Sequence, residues 1–432
     1  RPYGIVFLGG EVTAASSVSA NSVALGRNWR PYGASTYLNV ALGAHILPQG
    51  WRAMGSNNLT TARFAEYQNT GAGADTSQRV SESRQLSYAE AENYTVDNMF
   101  ESWVPSFSGH VASAPVLSQE DNPVHERFNR YLSEWSLSSN QANIILSHQY
   151  DNGGWPKNQE YDSNGNGGNG SATIDNGATT LEMSYMAEMY KRTGNTAYRD
   201  SARAAMDFLL QMQYPSGGWP QFYPLRGGYS DHVTFNDDAM TRVLTVLYHA
   251  EKGAAPFDSD IFNSGDRAQF KTALDKGVEY ILKAQWEQNG VLTVWCAQHG
   301  ATDYQPKAAR AYELKSLSGS ESVEIIAFLM TQPQTPQIKS AIDAALAWYR
   351  SPNTIHQDYQ YDKSSEEKII YSPGDRMWYR FYNLYDNQGF FSDRDGGTYY
   401  DIMDISEERR EGYSWGGSYG EKIISYAESV GY

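Results

Sequence analysis

Tyr150-Asp151-Asn152-Gly153-Gly154-Trp155-Pro156 recurs in the chain as Tyr214-Pro215-Ser216-Gly217-Gly218-Trp219-Pro220. Looser copies follow at residues 286–290 and 385–391, where aromatic residues again run into a glycine-containing turn. Between the first two copies, apolar residues such as Leu181, Tyr185 and Met189 recur at helical spacing. The pattern predicts helices paired into hairpins, each hairpin ending in a glycine-rich turn.

Further helical pairs are predicted at residues 238–251 with 268–286, and at 321–331 with 336–350. The copies of the turn are unequally spaced, which excludes a regular solenoid. We therefore expect an all-α main domain, an α/α toroid in which the turns gather around a central cleft. A generic helical bundle is the alternative that periodicity leaves open.

The N-terminal quarter of the chain has a different residue pattern. Short β-forming runs such as Ile5-Val6-Phe7-Leu8 are separated by Gly and Asn, and helix signals are nearly absent before Tyr88. Small residues dominate the stretch that follows. The sequence predicts a β-rich domain at 1–103, a linker at 104–120 and the helical domain at 121–432.

Composition narrows the class of partner. A net charge of −16 argues against a nucleic-acid or anionic-membrane binder, while an aromatic content of 13% suits contact with sugar faces. The chain contains no apolar run long enough for a membrane span and no signal peptide, and we interpret it as a fragment or processed form. The single cysteine, Cys296, cannot form an internal disulfide.

Two similar segments place carboxylates just before apolar helices: Asp175 within residues 173–179, and Asp237 and Asp238 within residues 234–240. Either segment could use one Asp as a helix cap. One cap needs one side chain, however, so the adjacent pair exceeds that need. Carboxylates brought together from two helix starts would form a hard oxygen site suited to Ca²⁺.

Basic residues recur in the predicted turns. Arg310 lies in the loop before a helix that begins near Glu321, and Lys157, Arg380 and Arg394 lie beside aromatic residues or glycines. Each could be an ordinary surface charge. Their recurrence in an acidic chain favours a cleft that binds carboxylates. No His-Glu-x-x-His or Cys-x-x-Cys spacing occurs, which argues against a zinc site.

Residues 121–432 resemble family 10 of the polysaccharide lyases, the pectate lyases. The resemblance lies in five segments: 152–158, 173–179, 234–240, 309–313 and 317–322. It implies an α/α toroid that cleaves polygalacturonate by calcium-assisted β-elimination. It further implies Arg310 as catalytic base, Asp175 and Asp237 at the calcium and scissile site, and substrate contacts from Arg380, Arg394, Lys157, Trp155 and Asp238.

An arginine base is unusual because a guanidinium holds its proton up to a pKa above about 12. We expect neighbouring positive charge from Ca²⁺, Lys307 or Arg380 to lower the pKa of Arg310, with an alkaline optimum as the result. The resemblance also implies a secreted, monomeric enzyme. Two alternatives stay open: a glycoside hydrolase using Asp175 and Asp237 as acid and base, and a non-catalytic pectin-binding protein.

Residues 1–103 resemble a different family, the C-terminal part of a right-handed β-helical pectin methylesterase. The resemblance lies in residues 25–32, 45–51, 64–67 and 94–100. Arg27 and Trp29 match that family's active-site arginine and tryptophan. The family's catalytic aspartates lie upstream of this region, so the resemblance implies an inactive esterase remnant with a partial β-helix.

Overall fold

The computed structural model describes residues 3–91, 93–94, 98–99 and 122–432. The chain divides into two compact units, Arg1–Val116 and Leu117–Tyr432. The predicted linker at 104–120 and most of the 94–100 segment lie outside the described residues. Among the described helices, none has the length and apolarity to cross a bilayer.

The N-terminal unit is built from parallel strands. One sheet stacks Ile5–Leu8, Ala34–Leu38, Arg63–Tyr67 and Ser83–Gln85 in that order, all parallel. Glu11–Val12 pairs with Ala41–Leu42, and Gly26–Arg27 pairs with Trp51–Arg52, also in parallel. A short helix follows at Tyr88–Ala91. The β-rich prediction is confirmed, and parallel stacking of successive strands is what a β-helix requires; its handedness stays a prediction.

The main unit contains the predicted helical hairpins. Thr180–Thr193 packs on Thr196–Met212, Ala239–Lys252 on Ser264–Ala284, and Glu321–Thr331 on Pro336–Tyr349. In the first hairpin Gly194 ends one helix in the left-handed region, at φ 69°, and Asn195 caps the next. The remaining helices are Pro123–Phe128, Tyr131–Glu134, Ser139–Ser147, Glu407–Gly412 and Tyr419–Ser429.

The main unit also carries strands that the all-α prediction left out. Two-residue strands pair Ala172–Thr173 with Phe222–Tyr223, Val233–Thr234 with Gln298–His299, and Leu317–Ser318 with Phe381–Tyr382. A longer hairpin joins His356–Tyr361 to Ile369–Tyr379, which also pairs with Gly416–Gly417. Other short strands are Glu287–Gln288, Val291–Leu292, Gly389–Ser392 and Thr398–Tyr399. Pairs of two residues have no periodicity to detect, and the long hairpin is largely solvated.

At three of the repeated turns, a tryptophan connects a strand to the end of a helix: its backbone carbonyl accepts from the strand, at Thr173, Thr234 and Ser318. Trp155, Trp219 and Trp295 are fully buried. Their indole N–H groups donate to helix carbonyl oxygens of Ile145, Leu209 and Ile281 at 2.8, 2.7 and 2.8 Å. A buried donor that finds such a partner avoids a desolvation penalty.

Trp155 therefore cannot contact substrate, and the prediction that it covers a sugar face is wrong. Its side chain is 0% exposed, and the same holds for Trp219. The sequence showed an aromatic residue in a turn, but the turn folds inward because Gly153 (φ 92°) and Gly217 (φ 105°) reverse the backbone in the left-handed region.

Substituting Trp155→Phe tests this structural role. Loss of the buried hydrogen bond and of indole volume should lower the free energy of unfolding by about 2–4 kcal/mol. Chemical denaturation measures the change, with Trp135→Phe as control because Trp135 is only half-buried and its indole makes no hydrogen bond with a described residue. A Trp155→Phe protein with unchanged stability and weakened carbohydrate binding would restore the sugar-platform interpretation.

Candidate active site

Two turns of the same design bring the predicted carboxylates to one place. Each turn follows a two-residue strand and precedes a long helix, and each contains a residue in the left-handed region, Asn176 (φ 54°) and Asp237 (φ 50°). The turns pack against each other. Asp175 is buried, whereas the Asp237 side chain is 44% exposed. The pair thus presents one sheltered and one accessible carboxylate.

Helix capping does not explain these aspartates. Neither Thr180–Thr193 nor Ala239–Lys252 has a side-chain hydrogen bond at its N-cap, although Asp238 occupies that position in the second helix. Asp175 instead pairs with Lys157, whose Nζ lies 2.5 Å from Asp175 Oδ2. Asp238 pairs with Arg127. Lys157 and Asp238 are therefore engaged with protein charges.

Arg380 connects the Asp237 turn to a further helix start. Its Nη2 donates to Glu321 Oε1 at 2.6 Å and lies 3.3 Å from Asn236 Oδ1 and 3.5 Å from Asp237 Oδ1. Both Arg380 and Glu321 are buried. Burial by itself would lower the pKa of Arg380, but the negative charge of Glu321 outweighs it, so the pKa is raised and the guanidinium stays charged.

Arg310 lies in a turn before that helix, as predicted, and is held by Glu313. Its Nε donates to Glu313 Oε2 at 2.8 Å, its Nη2 donates to Oε1, and its backbone N–H also donates to Oε2 at 3.1 Å. These hydrogen bonds raise the pKa of Arg310. This is opposite to the expected lowering, because the nearest charge is a carboxylate and Lys307 is paired with Asp303.

The rings of Tyr312 and Tyr413 lie against the predicted arginines. The Arg310 guanidinium carbon lies 4.9 Å from the centre of the Tyr312 ring and 5.9 Å from that of Tyr413. Arg394 lies over Tyr312 at 5.8 Å, and Arg380 over Tyr413 at 4.6 Å. Tyr413 also donates to Glu313 Oε1 at 3.0 Å. Sequence reasoning missed Tyr413, which lies outside the motifs, and gave Glu321 no functional role although that residue lies in the 317–322 segment.

Arg394 is the most solvent-exposed member of this arginine group. Its side chain is 64% exposed and pairs with Glu408 through Nε and Nη2, both at 2.9 Å. It is thus free to approach a ligand from the solvent side.

The two turns offer oxygen ligands suited to a hard cation. Carboxylates of Asp175 and Asp237 are joined by amide oxygens of neighbouring asparagines, and the site has no thiolate or imidazole. Within the described residues, no three His, Cys, Asp or Glu side chains are placed to hold a metal together. A cation here would draw its further ligands from neutral oxygens and from a bound anion.

A cavity of about 520 Å³ opens beside the two turns. Its lining includes Asn176, Asp237 and Glu321 from the site, together with residues absent from the sequence prediction: Arg127, Arg130, Trp135 and Arg242. Trp135 is half-buried and lines this cavity, whereas Trp155 does not. No sequence signal marked it, since it lies outside the repeated turns.

The family model for pectic acid lyases, named Pec_lyase, matches residues 149–424. The chain belongs to the pectic acid lyase family. A family 10 polysaccharide lyase from Cellvibrio cellulosa, solved as a mutant in complex with trigalacturonic acid, is 58% identical, with a TM-score of 0.72, and the match covers 73% of this chain and 100% of that one. A second structure of that lyase is 57% identical with the same TM-score of 0.72, over 74% and 99% of the two chains. The present chain is therefore a lyase enzyme, of the polysaccharide lyase class.

The N-terminal unit matches a second family model, that of pectinesterases, over residues 2–102. A probable pectinesterase/pectinesterase inhibitor from Arabidopsis thaliana is 39% identical over 113 residues, 24% of this chain. The chain spans about a fifth of the length of that curated relative, 22%. Arg27 ends the strand Gly26–Arg27, and Trp29 lies in the bend that follows. Both side chains are exposed, and Asn57 Nδ2 donates to the Trp29 carbonyl oxygen at 3.2 Å.

The buried Arg380–Glu321 pair gives a stability prediction. Glu321→Gln leaves the Arg380 charge buried without its closest partner, which should lower the free energy of unfolding by about 3–5 kcal/mol. Denaturant titration measures it. The control is Glu279→Gln, which breaks the exposed ion pair with Lys283 and should leave the unfolding midpoint unchanged. Equal effects from the two substitutions would contradict the importance of burial.

Proposed function

We propose that the main unit cleaves polygalacturonate by β-elimination, with Ca²⁺ bound by Asp175 and Asp237 and with Arg310 as the base. The observation that carries this proposal is the meeting of the two aspartate turns with an arginine cluster on one side of the unit. An anionic polymer would be bound by an acidic protein only where cations are concentrated locally. The complex of the Cellvibrio relative with trigalacturonic acid supports the choice of ligand.

Each charged residue has a distinct role in the proposal. Arg380 is held rigidly by Glu321 and keeps its charge, so it is suited to orienting a substrate carboxylate. Arg394, exposed and opposite Tyr312, would hold a second carboxylate. Lys157 forms an ion pair with Asp175 in this structure. It would release that carboxylate when a cation binds there, or would itself contact the substrate. When bound, Ca²⁺ supplies positive charge that stabilises the enolate-like transition state.

The elimination itself moves one proton and breaks one bond. Arg310 takes the C5 proton of the galacturonate unit, the C5 electron pair forms the C4–C5 double bond, and the C4–oxygen bond breaks. The departing glycosidic oxygen takes a proton from solvent, and a 4,5-unsaturated end remains. Glu313 opposes this step, because its hydrogen bonds raise the pKa of Arg310. We infer that substrate binding loosens the Arg310–Glu313 pair.

The remaining assignments are proposals of the same kind. We infer an α/α toroid for the helical hairpins, domain borders at 1–103 and 121–432 with a linker at 104–120, and a secreted monomeric enzyme. Arg27 and Trp29 are proposed to be an esterase remnant that does not turn over substrate on its own. Three successive strand–turn–helix repeats, each fastened by a buried tryptophan, support the toroid.

An assay on polygalacturonate at alkaline pH tests the reaction. The wild type should form products that absorb in the ultraviolet, a chelator should abolish their formation, and added Ca²⁺ should restore it. Arg310→Ala should lower kcat by roughly 10²- to 10⁴-fold, the range for loss of a proton-transfer group. The control Arg199→Ala removes a partly exposed arginine paired with exposed Asp200 elsewhere on the unit and should retain full activity. Reducing ends without ultraviolet absorbance would identify a hydrolase instead.

Glu313→Gln tests the electrostatic link to the base. Glu313 raises the pKa of Arg310, so removing its charge lowers that pKa and increases the deprotonated fraction at any given pH. The alkaline rise of kcat should therefore shift to lower pH, as read from a pH–rate profile. Glu279→Gln, which removes an exposed carboxylate paired with Lys283, should not shift it. A uniform loss of kcat at every pH would show that Glu313 acts only by positioning.

A further inference from the structure

Three arginines line the cavity beside the aspartate turns, and they differ in their partners. Arg130 Nε lies 2.8 Å from Glu134 Oε2. Arg127 Nε lies 2.9 Å from Glu324 Oε1, and the same side chain pairs with Asp238. Arg242 makes no hydrogen bond or ion pair with any residue in the described part of the chain. It is thus the cation of this lining whose charge is left without a direct partner among those residues.

Arg242 is placed against the Asp175 turn. It lies in the first turn of the helix Ala239–Lys252, and a Cβ atom added at Gly177 would come within 2.9 Å of Arg242 Nη1. Gly177 has φ 84°, so this position favours glycine both for its backbone and for the space that the guanidinium occupies. The guanidinium therefore lies next to Asn176, at the edge of the candidate active site.

The Arg242 Nε is buried and has no hydrogen-bond partner. An unpaired buried donor is costly, and more so when the group is charged. Burial, followed by the charges of Arg127 and Arg130, lowers the pKa of Arg242 to about 10, so the group is still protonated at neutral pH. Several nearby carboxylates have other partners: Glu324 pairs with Arg127, Glu134 with Arg130, and Asp237 with Arg380 and Asn236. Glu182 lines the same cavity, accepts from Tyr161 through Oε1 and has no hydrogen-bond partner at Oε2 among the described residues.

We propose that Arg242 binds the carboxylate of a galacturonate unit in this cavity, a unit other than the one held by Arg380. The proposal deepens the proposed function and rests on it. A polyuronate presents a carboxylate on every sugar, and a guanidinium binds that planar group through two parallel hydrogen bonds. Trp135 in the same lining offers a surface for the sugar ring. Arg242 is thus a specificity residue that favours a galacturonate unit with a free carboxylate over one with a methyl ester.

Arg242→Gln is the variant that tests this site. With hexagalacturonate as substrate, KM should rise roughly tenfold or more, as expected for loss of a charge-assisted hydrogen bond, while kcat stays within about twofold. The calcium concentration for half-maximal activity should not change. On highly methyl-esterified pectin the variant should lose much less, since an ester carries no charge for Arg242 to bind.

Two further proteins keep the test decisive. Arg199→Gln is the control, because it removes a partly exposed arginine outside the cavity whose partner Asp200 is exposed, and its KM should equal that of the wild type. Arg242→Lys keeps the charge but not the planar fork, so its KM should lie between those of wild type and Arg242→Gln. Thermal unfolding of each variant is measured first. If Arg242→Gln does not fold, a raised KM in a stable Arg242→Lys protein supports the site, and an unaltered KM overturns it.

The outcomes separate this inference from the proposed function. A wild type without activity on polygalacturonate overturns the function. An active wild type whose KM and ester preference are unaffected by Arg242→Gln overturns only the Arg242 site. A lower unfolding temperature with unaltered KM would assign Arg242 a structural role beside Glu324 and likewise overturn the site.

Discussion

A buried indole N–H that must find a carbonyl oxygen organises the main unit. Trp155, Trp219 and Trp295 each satisfy this need at the end of a preceding helix, and each thereby fixes the strand that follows it. The strand leads into a turn, and the turn leads into the next helix. Because the carboxylates lie on those turns, the position of the candidate site depends on hydrogen bonds made on the other side of each turn.

Charge pairing then sets what each site residue is able to do. Arg380 is buried against Glu321 and keeps its proton, so it acts as a fixed cation. Arg310 is held by Glu313, which raises its pKa and opposes its use as a base. Arg242 has no such partner among the described residues and is left to an external anion. The three arginines thus have three different roles, and the neighbouring carboxylates decide which role each arginine has.

Features that depend on local sequence were predicted correctly, whereas features that depend on packing were missed. Helical periodicity located the hairpins to within a few residues, as at Thr180–Thr193 and Glu321–Thr331, because a long amphipathic face is a local signal. The prediction for Trp155 failed, since burial of a turn residue depends on what packs over it. The long hairpin at His356–Tyr379 was missed because most of its residues are exposed or half-buried. Its two buried residues, Met377 and Trp378, are adjacent and give no alternating pattern.

The sequence by itself determined the two-part organisation, the helical hairpins and the candidate residues Asp175, Asp237, Arg310, Arg380 and Arg394, because motifs and periodicity are properties of neighbouring residues. Only the tertiary structure decided that Tyr312 and Tyr413 gather those arginines, that Glu313 raises the pKa of Arg310, and that Trp135 rather than Trp155 faces a cavity. Contacts between residues far apart in the chain set burial and local charge, and neither quantity can be read from one segment alone.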